Sequence, residues 1–274
     1  MKTIDKEVLD GYNAGIEKDR LHKGIGLIEF ERTKEILREQ LPPAPAVVYD
    51  IGGGYGEYSY FLTELGYEVH LFDIAKRNIE MSFEFGNELK MSLKAAEVAD
   101  ARSIQRPDHS ADAVLLFGPL YHIVDHEERQ LCLKECFRLL KPDGLLFTAA
   151  ISRYSTILKY ILKYDEKPLL DDPAFFKRIE DTVQTGIHTK KPMGLAYFHK
   201  PDELKNEVEE AGFSDTQLRG IICPAWMVRN IDEAWKEDTK RNTLMQTVRL
   251  LEREESLLGL STHFIGISKK QEKE

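Results

Sequence analysis

One stretch constrains this chain more than any other: Val47-Val48-Tyr49-Asp50-Ile51-Gly52-Gly53-Gly54-Tyr55-Gly56-Glu57. An apolar strand runs into a cluster of glycines, and an amphipathic helix pattern follows at once. A second apolar segment, Glu68-Val69-His70-Leu71-Phe72-Asp73, ends on an acid. This is the layout of a nucleoside-binding α/β unit. The first turn must let backbone come close to a ligand, and glycine leaves the room for that. The acid ending the second strand is placed to take two ribose hydroxyls.

Glycine spacing narrows the nucleoside. Dinucleotide folds use G-x-G-x-x-G, with the third glycine inside the helix so that helix and strand approach closely. Counting from Gly52, that third position is Glu57. The chain instead reads Asp-x-Gly-x-Gly-x-Gly from Asp50 to Gly56. A carboxylate there would repel a pyrophosphate, and it suits a ligand carrying an amine and a sulfonium charge. The motif resembles the first motif of class I S-adenosylmethionine-dependent methyltransferases. Further segments resemble the family in the same order. Asp73-Ile74 is similar to its second acidic motif, in which the acid holds the ribose and the apolar neighbour lies on the adenine. Asp100-Ala101 resembles the pair that reads the adenine edge. Asp112 to Phe117 is similar to the fourth strand, and Lys141-Pro142-Asp143-Gly144 to the turn entering the fifth, with Asp143 in place of a glycine.

The resemblance implies a Rossmann-like, mostly parallel seven-stranded sheet with helices on both faces and an antiparallel last strand. The pattern of the chain agrees. Strands are expected at Val47–Ile51, Glu68–Phe72, Leu93–Glu97, Ala111–Phe117, Leu145–Ile151 and His263–Ser268, with helices between them. Such alternation gives a parallel sheet with ligands at the carboxyl ends of its strands. Residues 1–45 are expected to form an N-terminal helical lid segment, with Leu27, Phe30, Lys34, Leu37 and Leu41 at helical spacing before Pro42. The cofactor-binding core spans 46–151, and 200–274 completes it. Residues 152–199 are too long for a plain connection and read as a mainly helical cap over the acceptor site. A further helical segment is expected from Ile231 to Leu258.

In the family's reaction the methyl group is already activated, so the protein mainly positions a nucleophile, and a base is needed only where the acceptor must lose a proton. The resemblance places Gly52, Gly53 and Gly54 beside the methionine part of S-adenosylmethionine. Asp50 orders the turn or the amine, Asp73 holds the ribose, Ile74 lies on the adenine, and Asp100 with Ala101 reads its edge. The alternative for Asp73 and Asp100 is that they cap the helices that follow. Phe117-Gly118-Pro119-Leu120-Tyr121-His122 leaves the fourth strand beside the methyl group and resembles a turn of small-molecule methyltransferases. Tyr121 and His122 either orient or deprotonate an acceptor, or close the pocket and cap a helix. His188 and His199, in or beside the cap, are further acid–base candidates, and His263 reads as structural. Tyr12, Arg20 and Arg32 are lid candidates, an arginine being able to pair with the cofactor carboxylate. Trp226 and Trp235 either line an acceptor pocket or pack in the core.

Composition limits what else the chain can do. Its net charge of −9 and its short basic clusters argue against nucleic acid as a substrate. It has no apolar run of membrane length, and no apolar core for a signal peptide near Met1, so a cytoplasmic location is the default. Cys132, Cys136 and Cys223 form no C-x-x-C pair and read as buried thiols, and no spacing of histidines and acids suggests a metal site. The leading expectation is therefore methyl transfer from S-adenosylmethionine to a nitrogen, oxygen or sulfur of a small molecule. Methylation of a protein or RNA, or a non-catalytic binding regulator, are the alternatives. Oligomeric state is not encoded in any pattern.

Overall fold

The computed structural model describes residues 6–13, 19–166, 168–190 and 194–271. Its strands are β1 (Val47–Ile51), β2 (Glu68–Asp73), β3 (Ala95–Val98), β4 (Ala111–Leu116), β5 (Leu140–Ile151), β6 (Ile187–Lys190), β7 (Gly194–Tyr197), β8 (Ser214–Gly220) and β9 (His263–Lys269). Seven of them form one sheet in the order β3-β2-β1-β4-β5-β9-β8, and β6 pairs with β7 as a separate hairpin. β9 runs antiparallel to both β5 and β8, and the pairings among β1 to β5 are parallel.

Apolar runs in β1 and β4 follow from their central position, where both faces are covered. Val48, Ala113, Leu115, Phe147 and Ile265 face one core with Ile28, Ile36 and Leu37 of the helix Ile25–Gln40. Tyr49, Val114, Leu116, Leu146 and Phe264 face the other, against Cys132, Leu133 and Cys136 of the helix His126–Leu139 and Leu204 and Val208 of the helix Pro201–Glu210. The period of two along each strand separates these sets. All three cysteines are buried free thiols.

The buried stripe of Ile25–Gln40 is shifted from the apolar spacing in the sequence. Ile28, Glu29, Arg32, Thr33 and Ile36 are buried, whereas Leu27, Phe30 and Lys34 are only half-buried. Charged residues occupy the inner face because they find partners there. Arg32 donates to Glu252 (Nε to Oε2, 2.6 Å; Nη2 to Oε1, 3.0 Å) and to Glu35 (2.7 Å), and Arg219 reaches Glu252 at 3.3 Å. Arg32 is therefore a bolt between the N-terminal helix and the C-terminal segment, not a lid residue.

Other elements also differ from the reading. The segment Ile231 to Leu258 is not one helix but Ile231–Lys236, Asp238–Leu251 and Glu255–Leu258. Residues 152–199 contain the helices Ser155–Leu162 and Pro173–Thr185, in keeping with a mainly helical segment, and add the paired strands β6 and β7, which the sequence pattern does not indicate. Asp143 adopts φ 62°, the left-handed conformation that glycine usually supplies, at a turn where its N–H donates to Lys270 O (2.9 Å).

Candidate active site

The strand order reverses between β2-β1 and β4-β5, which opens a crevice at the carboxyl ends of β1 and β4. The loops leaving these strands meet there. Gly52 adopts φ 74°, and a side chain on it would come within 2.5 Å of Pro119 Cδ. A side chain on Gly118 would meet Gly52 O at 3.0 Å. Glycine at both positions therefore lets the first turn and the Gly118-Pro119 turn touch. A side chain on Gly53 would strike the Asp50 carboxyl at 2.4 Å, whereas Gly54, at φ 62°, faces open space.

That open space is a cleft of about 1000 Å³ including its mouth. Its floor holds Asp50, Gly52, Gly53 and Gly54; Asp73, Ile74, Asp100 and Ala101 form one side. Phe117, Gly118, Pro119, Tyr121 and His122 form another, and Tyr55, Glu57, Tyr58, Arg20 and Leu21 close the rim. Motifs spread over some seventy positions of sequence thus converge on one cavity.

Asp50 is buried. Ser59 Oγ donates to its Oδ2 at 2.7 Å, and its Oδ1 has no hydrogen-bond partner among the described residues. Burial, together with the nearby Asp73 charge, pushes its pKa up to about 7, against the Ser59 hydrogen bond. Asp73 holds the loops in register. Its Oδ2 accepts from Gly54 N (2.9 Å), and its Oδ1 accepts from Ala75 N (2.8 Å) and Asn78 Nδ2 (3.0 Å). Asp73 thus lines the cleft and braces the start of the helix Lys76–Leu89 through Ala75 and the Asn78 side chain, without bonding the helix's first N–H groups. Burial raises the pKa of Asp100, but hydrogen bonds from the Arg102 side chain and backbone hold it below the usual carboxylate range. Arg102 also reaches Glu128 at 2.5 Å. The sequence reading overlooked this clamp, although an arginine two residues after the acid was its signal.

Part of the rim comes from the N-terminal segment. A short 3-10 turn, Arg20–His22, puts Arg20 and Leu21 on the cleft. Arg20 is tied to Glu29 (2.9 Å), which also contacts His263 Nδ1 (2.9 Å). His22 Nε2 lies 2.5 Å from Glu57 Oε1. The helix Lys6–Asn13 lies against the helix Lys76–Leu89 and β7, with Asn13 Oδ1 accepting from Arg77 N at 3.4 Å. The Tyr12 side chain lies outside the described residues.

Tyr121 and His122 sit together on the cleft wall, ring centroids 4.6 Å apart. The other two candidate histidines, His188 and His199, are elsewhere. His188 stacks on Phe198 (4.5 Å), its Nδ1 lies 3.1 Å from Thr182 Oγ1, and it lines a second cavity. His199 lines neither cavity. It is fully buried, with Nε2 3.4 Å from Glu207 Oε2, and burial drives its pKa down against the pull of Glu207. Glu207 is raised by burial but held well below the carboxylate range by Arg129 and His199. His199 is thus part of a buried ion-paired cluster with Glu207 and Arg129, away from both cavities, and the expectation that it acts on an acceptor is corrected. Trp226 lines the second cavity, with Nε1 donating to Leu260 O (2.9 Å), while Trp235 packs against the core. Among the described residues no cluster of metal-ligating side chains occurs, and no helix is long and apolar enough to cross a membrane.

The cleft fits an adenosyl amino acid on its own terms. An unpartnered, buried carboxylate oxygen suits an ammonium, a glycine floor admits close approach, and Ile74 and Phe117 offer apolar surface. Known proteins give the same answer. A family profile described as "Methyltransferase domain" matches residues 49–148. The chain is 31% identical over 197 residues to the ubiquinone biosynthesis O-methyltransferase of Xanthomonas oryzae pv. oryzae (strain PXO99A), covering 71% of this chain and 74% of the relative. It is 27% identical over 199 residues to the protein of that name from Xanthomonas axonopodis pv. citri, with the same coverage. Among solved structures, an S-adenosylmethionine-dependent methyltransferase from Methanosarcina mazei has a similar fold at TM-score 0.58 and 20% identity, over 87% of this chain and 98% of that one. With its ordered motifs gathered in one cleft and a close relative matched over most of both chains, the protein belongs to the class I S-adenosylmethionine-dependent methyltransferases.

Proposed function

We propose that this enzyme methylates a small molecule, with the cofactor seated in the cleft at the ends of β1, β2 and β4. The convergence of Asp50, the glycine loop, Asp73 and the Asp100-Ala101 pair on one cavity carries the reading. When bound, S-adenosylmethionine supplies a methyl group on a sulfonium, already activated for displacement. The chain's own residues then have four tasks. Asp50 Oδ1 faces the amine, and Gly54 gives the methionine part room. Asp73 holds the ribose while keeping Gly54 and Ala75 in place. Ile74 covers the adenine, and Asp100, fixed by Arg102, reads its edge with Ala101. Phe117 and Gly118 border the sulfonium, and Tyr121 and His122 orient the acceptor for in-line attack, with His122 the nearest candidate to take a proton from it. The names of the relatives, which concern ubiquinone biosynthesis, support a small acceptor, as does the net negative charge.

Calorimetric titration of S-adenosylhomocysteine tests the site. Wild type should bind, and Asp73→Ala should abolish binding. Because Asp73 also holds backbone, Ile74→Ala is the cleaner variant. It removes only part of an apolar side chain, so affinity should fall about tenfold with the melting temperature unchanged. A folded, ligand-free wild type that does not bind would overturn the proposal.

A further inference from the structure

A second cavity lies under the cap, about 2070 Å³ including its mouth, bounded by the end of β5, the cap helices and hairpin, and the segment from Trp226 to Asp232. The turn 20–25 borders both this cavity and the cofactor cleft: Arg20 and Leu21 line the cleft, and Gly24 and Ile25 line the second cavity. Gly24 N is tied to Asp232 Oδ1 (2.8 Å), and His263, bound to Glu29, stands at the same boundary.

Its lining differs from the rest of the molecule. Tyr160, Phe175, Phe198 and Trp226 give it an aromatic surface, with Tyr160 and Phe175 edge to face at 4.7 Å. Lys159, Lys163, Arg178 and Arg229 bring four positive charges to it, against the carboxylates of Glu166 and Asp232. None of the four cations has a carboxylate partner among the described residues, and Arg178 lies instead over the Phe175 ring at 5.1 Å. For the two arginines that is unusual in this acidic chain. Twelve of the fifteen arginines contact a carboxylate among the described residues. Two of the remaining arginines and two lysines thus stand exposed around one aromatic cavity without a carboxylate partner, a positive field that attracts an anion.

We propose that this cavity is the acceptor site and that the acceptor pairs an aromatic or extended apolar body with an anionic group, carboxylate or phosphate. The aromatic wall takes the body, the four cations hold the anion towards the mouth, and the reacting end passes the turn 20–25 to reach Tyr121 and His122 in the cofactor cleft. The assignment of the site as an acceptor site rests on the methyltransferase reading; its preference for anions does not.

A matched pair of fluorescent probes tests it. 1-Anilinonaphthalene-8-sulfonate is aromatic and anionic; N-phenyl-1-naphthylamine is its uncharged counterpart. Wild type should bind the sulfonate more tightly than the neutral probe, with emission sensitised by Trp226 and lost in Trp226→Phe. The double variant Arg178→Gln/Arg229→Gln, changed at exposed positions, should weaken the sulfonate about tenfold and leave the neutral probe and S-adenosylhomocysteine unaffected. Equal binding of both probes, an unchanged double variant, or displacement of the sulfonate by S-adenosylhomocysteine would overturn the proposal. If the wild type takes the sulfonate as expected but binds no S-adenosylhomocysteine, the anion site stands and the acceptor role falls. Sedimentation with phosphatidylglycerol vesicles that the double variant loses assigns the anion to a lipid headgroup; sedimentation with neither protein assigns it to a soluble molecule.

Discussion

Asp50 carries the most unusual electrostatics in the cleft. Burial lifts its pKa from 3.8 to about 7, so below that pH the ligand-free protein holds it protonated. An ammonium beside Oδ1 favours the ionised form. Binding of S-adenosylhomocysteine should then release a proton, and affinity should rise as pH rises from about 5 to about 7 and level off above it. Titrations in buffers of different ionisation enthalpy check both parts. Asp50→Asn should bind with no slope across this window, and a flat wild-type profile would sink the idea. The same shift has a stability sign. Between 3.8 and about 7 the folded state binds more protons here than the unfolded chain does, so this residue's contribution to stability falls as pH rises. Sequence placed Asp50 in the site because its role is local to the glycine turn. It could not place His199, whose environment depends on Glu207 and Arg129, brought together only by folding. Nor could it distinguish Arg20 on the cleft rim from Arg32 in a buried ion network, since both read as polar residues near a helix.

At the scale of the element, the glycine loop separates two requirements that a motif cannot. Gly52 is constrained by protein, since a side chain would collide with Pro119, while Gly54 faces the cleft with nothing near it. Gly52→Ala should therefore destabilise the fold by about 2 kcal/mol or more through overpacking and strained φ. Gly54→Ala should cost only about 1 kcal/mol for the strained backbone yet lose most cofactor affinity. Urea unfolding alongside calorimetry distinguishes them; equal effects on both quantities would contradict the assignment. The parallel half of the sheet was legible because central strands, buried on both faces, are written as apolar runs. The β6–β7 hairpin was not, since Ile187 to Tyr197 is short and carries no steady alternation. The C-terminal helices were read as one because Glu237 and Arg253 break the helix without glycine or proline to mark the place.

Over the whole molecule, the N- and C-terminal segments are joined through Glu252, buried among Arg32 and Arg219, with its backbone oxygen accepting from Gly220 N at 2.8 Å. Glu252→Gln leaves two buried guanidinium groups undercompensated and should cost about 3 kcal/mol, read as a lower urea midpoint with unchanged S-adenosylhomocysteine affinity. No loss of stability would mean that water or Glu39 compensates. The sheet itself is finished from the far end of the sequence. β9 comes after every strand it joins, yet it sits inside the sheet between β5 and β8. During synthesis, then, the cofactor half can assemble early while β5 and β8 wait with unpaired backbone edges that could recruit a neighbouring nascent chain. For this protein the hazardous interval is the one between the appearance of β8 and the release of β9 from the ribosome, and a chaperone that shields strand edges would matter most there.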